Sequence, residues 1–134
     1  MQHCLKQSET GGESLLVDGF KAAQILRDEH PDSFRLLSRV AVPGHSVGDP
    51  NFFFQNRSQP VFVHDLMGTG ELVQVRWNND DRSAMCEYPP EGGVEGFYNA
   101  IRQWDEILRR KECEYWTQLV PGRPLSISRD IMLM

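Results

Sequence analysis

Between Val94 and Lys111 the apolar residues Val94, Phe97, Tyr98, Ile101, Trp104, Ile107 and Leu108 recur at three- and four-residue intervals, with Arg102, Asp105, Glu106, Arg109 and Arg110 set between them. That spacing gathers the large side chains on one stripe of an α-helix and leaves the charges elsewhere. An indole, two other aromatic rings and four aliphatic side chains on one stripe have to be covered from water, so the rest of the chain must build a core against this helix. The pattern predicts a helix lying flat on a β-sheet. With 134 residues there is material for one domain.

The other segments supply that sheet. Met1 to Lys6 and Ser14-Leu15-Leu16-Val17 read as two short strands joined through Gly11-Gly12. From Phe20 the period becomes helical, with Ala22, Ala23, Ile25 and Leu26 grouped, Asp18 placed as an N-cap and Pro31 as the stop. Asp32 is positioned to cap a second helix carrying Phe34, Leu37 and Val40. Residues 43–60 hold glycines, prolines and asparagines around Phe52-Phe53-Phe54, show no period, and read as a long loop. Val61 to His64 and Leu72 to Trp77 read as strands. In the second, Val73, Val75 and Trp77 alternate with a polar row of Gln74, Arg76 and Asn78. Tyr115 to Leu119, a Pro121-Gly122-Arg123 turn and Leu125 to Ile127 form a last strand pair. The expected fold is mostly β with helices inserted on its outside.

Composition narrows the function. Fourteen basic against 19 acidic residues give a net charge of −5, with no Lys/Arg stripe, so a nucleic-acid partner is not expected. No apolar run reaches the roughly 20 residues that span a bilayer, which argues against a membrane role. The three cysteines, Cys4, Cys86 and Cys113, are odd in number and widely spaced, which suits a reducing, intracellular compartment better than a disulfide framework.

Three constellations carry chemistry. His30-Pro31-Asp32 has a His-x-carboxylate spacing that elsewhere supplies two ligands to non-haem iron; the bland reading is a solvated corner between two helices. In Arg76-Trp77-Asn78-Asn79-Asp80-Asp81-Arg82, two amides and two arginines can bind a carboxylate through fixed hydrogen bonds, or the Asn and Asp residues simply fold back on their own backbone as a turn. Gly11-Gly12, ahead of Ser14, lets a ligand approach the backbone or turns a hairpin.

His3-Cys4-Leu5-Lys6, the stretch Thr10 to Phe20, Arg76 to Arg82 and Pro121-Gly122-Arg123 occur in an order and spacing that resembles the Fe(II)/2-oxoglutarate dioxygenases of carnitine biosynthesis. Within that family, part of the taurine-dioxygenase-like superfamily, the trimethyllysine dioxygenase branch is most similar and the gamma-butyrobetaine dioxygenase branch next. The resemblance implies a double-stranded β-helix, or jelly roll, and makes residues 1–134 a partial domain, its central and C-terminal portion, cut at both ends. It implies hydroxylation of a trimethylammonium amino acid coupled to decarboxylation of 2-oxoglutarate, with Fe(II) as cofactor and ascorbate as a candidate reductant. By the same resemblance Asn78 lies at the carboxylate end of the substrate, Asn79 and Arg82 shape that wall, and Ser14 borders the 2-oxoglutarate pocket.

The departures matter equally. The family's His-x-Asp iron motif lies upstream of the first strand, Met134 stands where its distal histidine would be, and the 2-oxoglutarate arginine lies further on. By the resemblance no residue here is an iron ligand or a catalytic group, and neither cofactor is expected to bind tightly. The chain alone is expected to be inactive, its compartment either mitochondrial or cytoplasmic. The alternative is a non-catalytic truncated isoform, an interaction or dimerisation module, with a homodimer as its simplest assembly.

Overall fold

A computed structural model describes residues 4–48, 52–65, 67, 69–85, 87–90, 92–125 and 131–133. Along the chain come β1 (Glu13–Asp18), α1 (Gly19–Glu29), α2 (Pro31–Leu37), β2 (Val42–Val47), β3 (Phe53–Gln59), β4 (Phe62–His64), β5 (Leu72–Val75), α3 (Gly93–Leu108), β6 (Glu114–Gln118) and β7 (Ile131–Leu133). The strands form three small antiparallel sheets, ordered β6-β1-β7, β2-β3 and β4-β5. Strand and helix contribute about equally, so the fold is mixed rather than mostly β.

Helix α1 starts where the Asp18 carboxylate accepts the Lys21 backbone N–H at 2.9 Å. Its Ala22, Ala23 and Leu26 are fully buried. Replacing Asp18 by Ala leaves that N–H unpaired and is expected to cost about 1 kcal/mol, read as a lower denaturant midpoint with an unchanged slope. Helix α2 does not use Asp32 as its cap, contrary to the sequence reading. His30 occupies that position without a side-chain bond, Pro31 opens the first turn, and Asp32 pairs with Arg35 one turn on. Pro31 fixes its own φ near the helical value, and the helix therefore starts two residues earlier than a cap at Asp32 would allow. Val40 lies beyond its end.

Helix α3 follows its stripe, burying Phe97, Ala100, Ile101, Trp104, Ile107 and Leu108. It packs on α1 and α2 rather than flat on a sheet. The two small alanines of α1 allow close approach between helices, and the stripe is wide enough to face both neighbours. Val94 and Tyr98 sit at its border, about half exposed. The core joins this helix layer to β4 and β1. Phe62 stacks on Phe34 at 4.9 Å and meets Trp104 edge-on at 5.0 Å, while Val17 and Cys113 close the far side.

A bidentate ion pair ties the end of α1 to the residues after α3. Both Arg110 terminal nitrogens donate to Glu29, each at 2.6 Å. The hydrogen bond and charge of Arg110 hold the Glu29 carboxyl below its ordinary value against a smaller effect of desolvation. A lowered carboxyl contributes stability above its unfolded value, about 4.5, and loses it as pH falls through the lower folded one. Between neutrality and pH about 3, wild type is therefore expected to lose more of its urea midpoint than Glu29→Gln; parallel losses would refute the linkage.

Residues 43–60, read as a loop, include most of β2 and all of β3, paired antiparallel. A register shift between Val42 and Gly44 breaks the ladder, and the Phe run hides the alternation. Phe52, Phe53 and Phe54 are all more than half exposed. Residues 4–12 contain no strand either. Gly11 and Gly12 take left-handed φ values of 72° and 80°, and the Gln118 side chain holds the Ser8 and Gly11 carbonyls where a ladder was expected. The partners of β1 are β6 and β7. Ser126 and Ile127, read as strand, lie outside the described residues.

Candidate functional site

Strand β5 ends at Val75, but its pairing continues one step, with Arg76 N–H donating to the Val61 carbonyl at 2.8 Å. The Arg76 guanidinium donates to the Gln59 side chain, which removes it from the carboxylate wall suggested by the sequence. Trp77 then turns half-buried onto the core.

The next five residues form a tight, self-bonded turn. The Asn78 side-chain oxygen accepts the Asp80 backbone N–H at 3.0 Å, its Nδ2 donates to Asp81 Oδ2 at 2.7 Å, and Arg82 Nε donates to Asn79 Oδ1 at 3.2 Å. This is the fold-back that asparagine and aspartate favour, so the turn reading of the sequence holds. It does not exclude a site, because Asn79 Nδ2 donates to no described residue and the turn is exposed.

Two other elements grip this turn. Arg82 bridges Gly44 of β2, His45 N–H donates to the Asp81 carbonyl at 2.8 Å, and Ser83 N–H to the Pro43 carbonyl at 3.0 Å. His45 Nδ1 and Ser83 Oγ are 2.7 Å apart. On the α3 side, the Arg82 guanidinium carbon lies 5.7 Å from the Trp77 ring and 5.6 Å from that of Tyr98. Tyr88 adjoins Tyr98, ring centres 6.4 Å apart. Hydrogen bonding to Tyr88, then to Arg82 together with the charge of Arg82, holds the Tyr98 phenol below its ordinary value; the Tyr98 bond and desolvation push Tyr88 up. Sequence reading missed these two tyrosines. The available signal was Tyr98 itself, a polar-tipped ring at the border of an apolar stripe.

Ser14 stands apart from this turn, on β1 opposite Thr117. Directly opposed residues share a sheet face, so Ser14, Leu16, Thr117 and Tyr115 lie on the face opposite to that of Val17, where Leu16 is itself buried.

The donor sets do not fit iron. Among the described residues no group of three or more His, Cys, Asp or Glu is placed to hold a metal ion. Asp32 of the His30-Asp32 pair is engaged by Arg35. His64 Nδ1 meets the Gly70 carbonyl and its Nε2 meets Ser38 Oγ, each at 3.1 Å. His3, Cys86 and Met134 lie outside the described residues. Nor is any helix among the described residues long and apolar enough to cross a membrane.

Comparison with known proteins decides the kinship: residues 1–125 match the family model described as taurine catabolism dioxygenase TauD, TfdA family. The chain belongs to this TauD/TfdA family. Among the family's curated members, a trimethyllysine dioxygenase of Meyerozyma guilliermondii is 45% identical over 124 residues, covering 92% of this chain and 31% of its own. The mitochondrial trimethyllysine dioxygenase of Gallus gallus is 39% identical over 128 residues, covering 93% and 30%. The gamma-butyrobetaine dioxygenase of Homo sapiens is 32% identical over 120 residues, covering 90% and 30%. The chain thus spans about a third of the length of these TauD/TfdA relatives.

Proposed function

We propose that the chain forms part of an Fe(II)/2-oxoglutarate-dependent dioxygenase that hydroxylates trimethyllysine in carnitine biosynthesis, and that it contributes a substrate wall while lacking the means to turn over alone. The observation that carries this reading is the family match over residues 1–125, together with trimethyllysine dioxygenases as relatives at 39% and 45% identity. Residues 1–134 are then a partial taurine-dioxygenase-like domain. The β6-β1-β7 sheet, covered by helices on one face and carrying Ser14 on the other, would be one piece of its jelly roll.

The wall suits an amino-acid head group. The Asn79 amide and the Arg82 guanidinium offer donors to a carboxylate, and the Asp80 carboxylate beside them offers a partner to a neighbouring ammonium. Trimethyllysine carries both charges at one carbon, whereas gamma-butyrobetaine has a carboxylate alone at that end. Iron does not fit the donor sets described, so it would be held by residues beyond them. Purified chain given Fe(II), 2-oxoglutarate, ascorbate and trimethyllysine is expected to release no succinate above a metal-only blank. In titrations it should bind trimethyllysine more tightly than gamma-butyrobetaine. Succinate release, or the reverse preference, would overturn the corresponding half of the proposal.

A second reading, a non-catalytic module that pairs with further copies of this chain or with a full-length relative, is favoured by the exposed Phe52-Phe53-Phe54 run and by Tyr115 and Trp116 on β6. Sedimentation as a free monomer, with no association on adding a full-length relative, would remove it.

A further inference from the structure

The β2-β3 ribbon is anchored at one end only. At its base Arg82 bridges Gly44, Ser83 N–H donates to the Pro43 carbonyl at 3.0 Å, Arg76 donates to the Gln59 side chain and Val42 packs against the core. Beyond this base the two strands meet each other and touch the other named helices and strands only slightly. Polarity then runs along the ribbon in an unusual sense. His45 and Ser46, nearer the base, are half-buried, whereas Val47, Phe52, Phe53 and Phe54 at the tip are 55–68% exposed. Val47 is paired with Phe53 and shares its face, while Phe54, opposite Ser46, and Phe52 two residues before it fall on the other. The tip is therefore apolar on both faces. A ribbon lying on a surface sorts its residues by face, whereas one entering a cleft end-on sorts them by depth.

We propose that this tip is a wedge, inserted end-on between apolar walls that the remainder of a full-length polypeptide supplies. This rests on reading the chain as part of a longer dioxygenase, and more than two thirds of each trimethyllysine dioxygenase relative lies outside the match. Lipid suits the tip less well. Asp49-Pro50-Asn51 link Gly48 to Phe52 in sequence, so a bilayer would have to take up a carboxylate and an amide along with the rings. A second copy is also a poor host. Three rings of about 200 Å² each, little more than half exposed, leave on the order of 350 Å² per tip, and two tips meeting would bury about 700 Å², short of the roughly 1,000 Å² of a stable interface. Two cavities on the chain give the tip no seat in a second copy. The one between α2 and α3, about 330 Å³, is lined by Asp32, Arg35 and Arg39, and the one beside Phe20, Phe34 and Leu72, about 100 Å³, is smaller than the ~150 Å³ that takes one benzene ring. Within one polypeptide the contact costs no translational freedom, so a patch of this size is enough.

Hydroxyl-radical footprinting of Phe52, Phe53 and Phe54 tests the proposal. On the full chain alone the three rings should react at rates independent of protein concentration, and phosphatidylcholine vesicles should not shield them. Shielding that grows with concentration, or that vesicles bring, would assign the tip to a second copy or to lipid and overturn the wedge. Neither measurement needs a further protein. The chain is then set into the Meyerozyma guilliermondii trimethyllysine dioxygenase in place of the segment it matches. There the rings should react several-fold more slowly, and Phe53→Ser should lower the urea midpoint while leaving that of the chain alone unchanged. Rings as reactive in the folded chimera as in the free chain would overturn the wedge. Succinate release with trimethyllysine is read in parallel, because it answers to the reading beneath the proposal. Turnover with reactive rings removes the wedge alone, whereas shielded rings without turnover uphold the wedge and count against the dioxygenase reading.

Discussion

Trp104→Ala is expected to destabilise the chain by about 3–5 kcal/mol, the cost of emptying an indole-sized space in a packed core. Domains of this size have total stabilities of only about 5–15 kcal/mol, so the variant should be largely unfolded in mild denaturant. The indole is fully buried in the helix layer and edge-on to Phe62, which in turn stacks on Phe34. Removing it deprives α1, α2, α3 and β4 of a common neighbour. Trp104→Phe separates packing from polarity. The indole Nε1–H is buried without a partner among the described residues, an arrangement that costs free energy in the native state. A phenyl ring deletes that orphan donor while keeping most of the volume, so this variant should lose far less than the alanine one. Equal losses in urea unfolding would mean that the phenyl ring recovers none of the indole's packing.

Asn78→Ala is expected to weaken trimethyllysine about tenfold to a hundredfold, the loss that follows when hydrogen bonds to charged groups, worth about 1.5–3 kcal/mol, are disturbed. The substitution removes the acceptor for the Asp80 N–H and the donor to Asp81 together. The turn then loses its internal bonds, and Asn79 loses its platform. Asn78→Asp keeps the acceptor but sets a carboxylate against that of Asp81, a repulsion that should relax the turn in the same direction and fade as salt is added. Titrations at two ionic strengths distinguish the two variants. If neither changes the affinity, the turn is no binding element.

Where sequence and structure agree, the signal was local. The stripe of α3, the Asp18 cap of α1 and the fold-back of Asn78 to Arg82 each depend on residues two to four apart, and each is found. The misses concern partners far along the chain. Nothing in Ser14-Leu15-Leu16-Val17 says that its neighbours are Tyr115-Trp116-Thr117 on one side and Ile131–Leu133 on the other. The β2-β3 hairpin escaped because its strands are irregular and Gly44 and Pro43 sit inside one of them, where they normally argue against a strand. At the candidate site, Asn78, Asn79 and Arg82 were legible as a group, brought forward by family resemblance and gathered in one turn by the structure. Tyr98 and Tyr88 were not, because the pairing of a helix border with a distant loop leaves no mark on either segment alone. Ser14 belongs to a different sheet from the one β5 completes before the Asn78 turn.

The central place of β1 also sets a timetable for synthesis. Both strands that flank it are made about a hundred residues after it. At roughly 5–20 residues per second, β1 waits on the order of 5–20 s with its backbone hydrogen-bonding groups unmatched. During that interval α1 and α2 can already form at its side, and the nascent chain offers an open ribbon edge to any chaperone or neighbouring chain that reaches it. Nascent chains halted before Glu114 should accordingly remain open to protease at Ser14-Leu15-Leu16-Val17, and protection should arrive only once β6 has emerged.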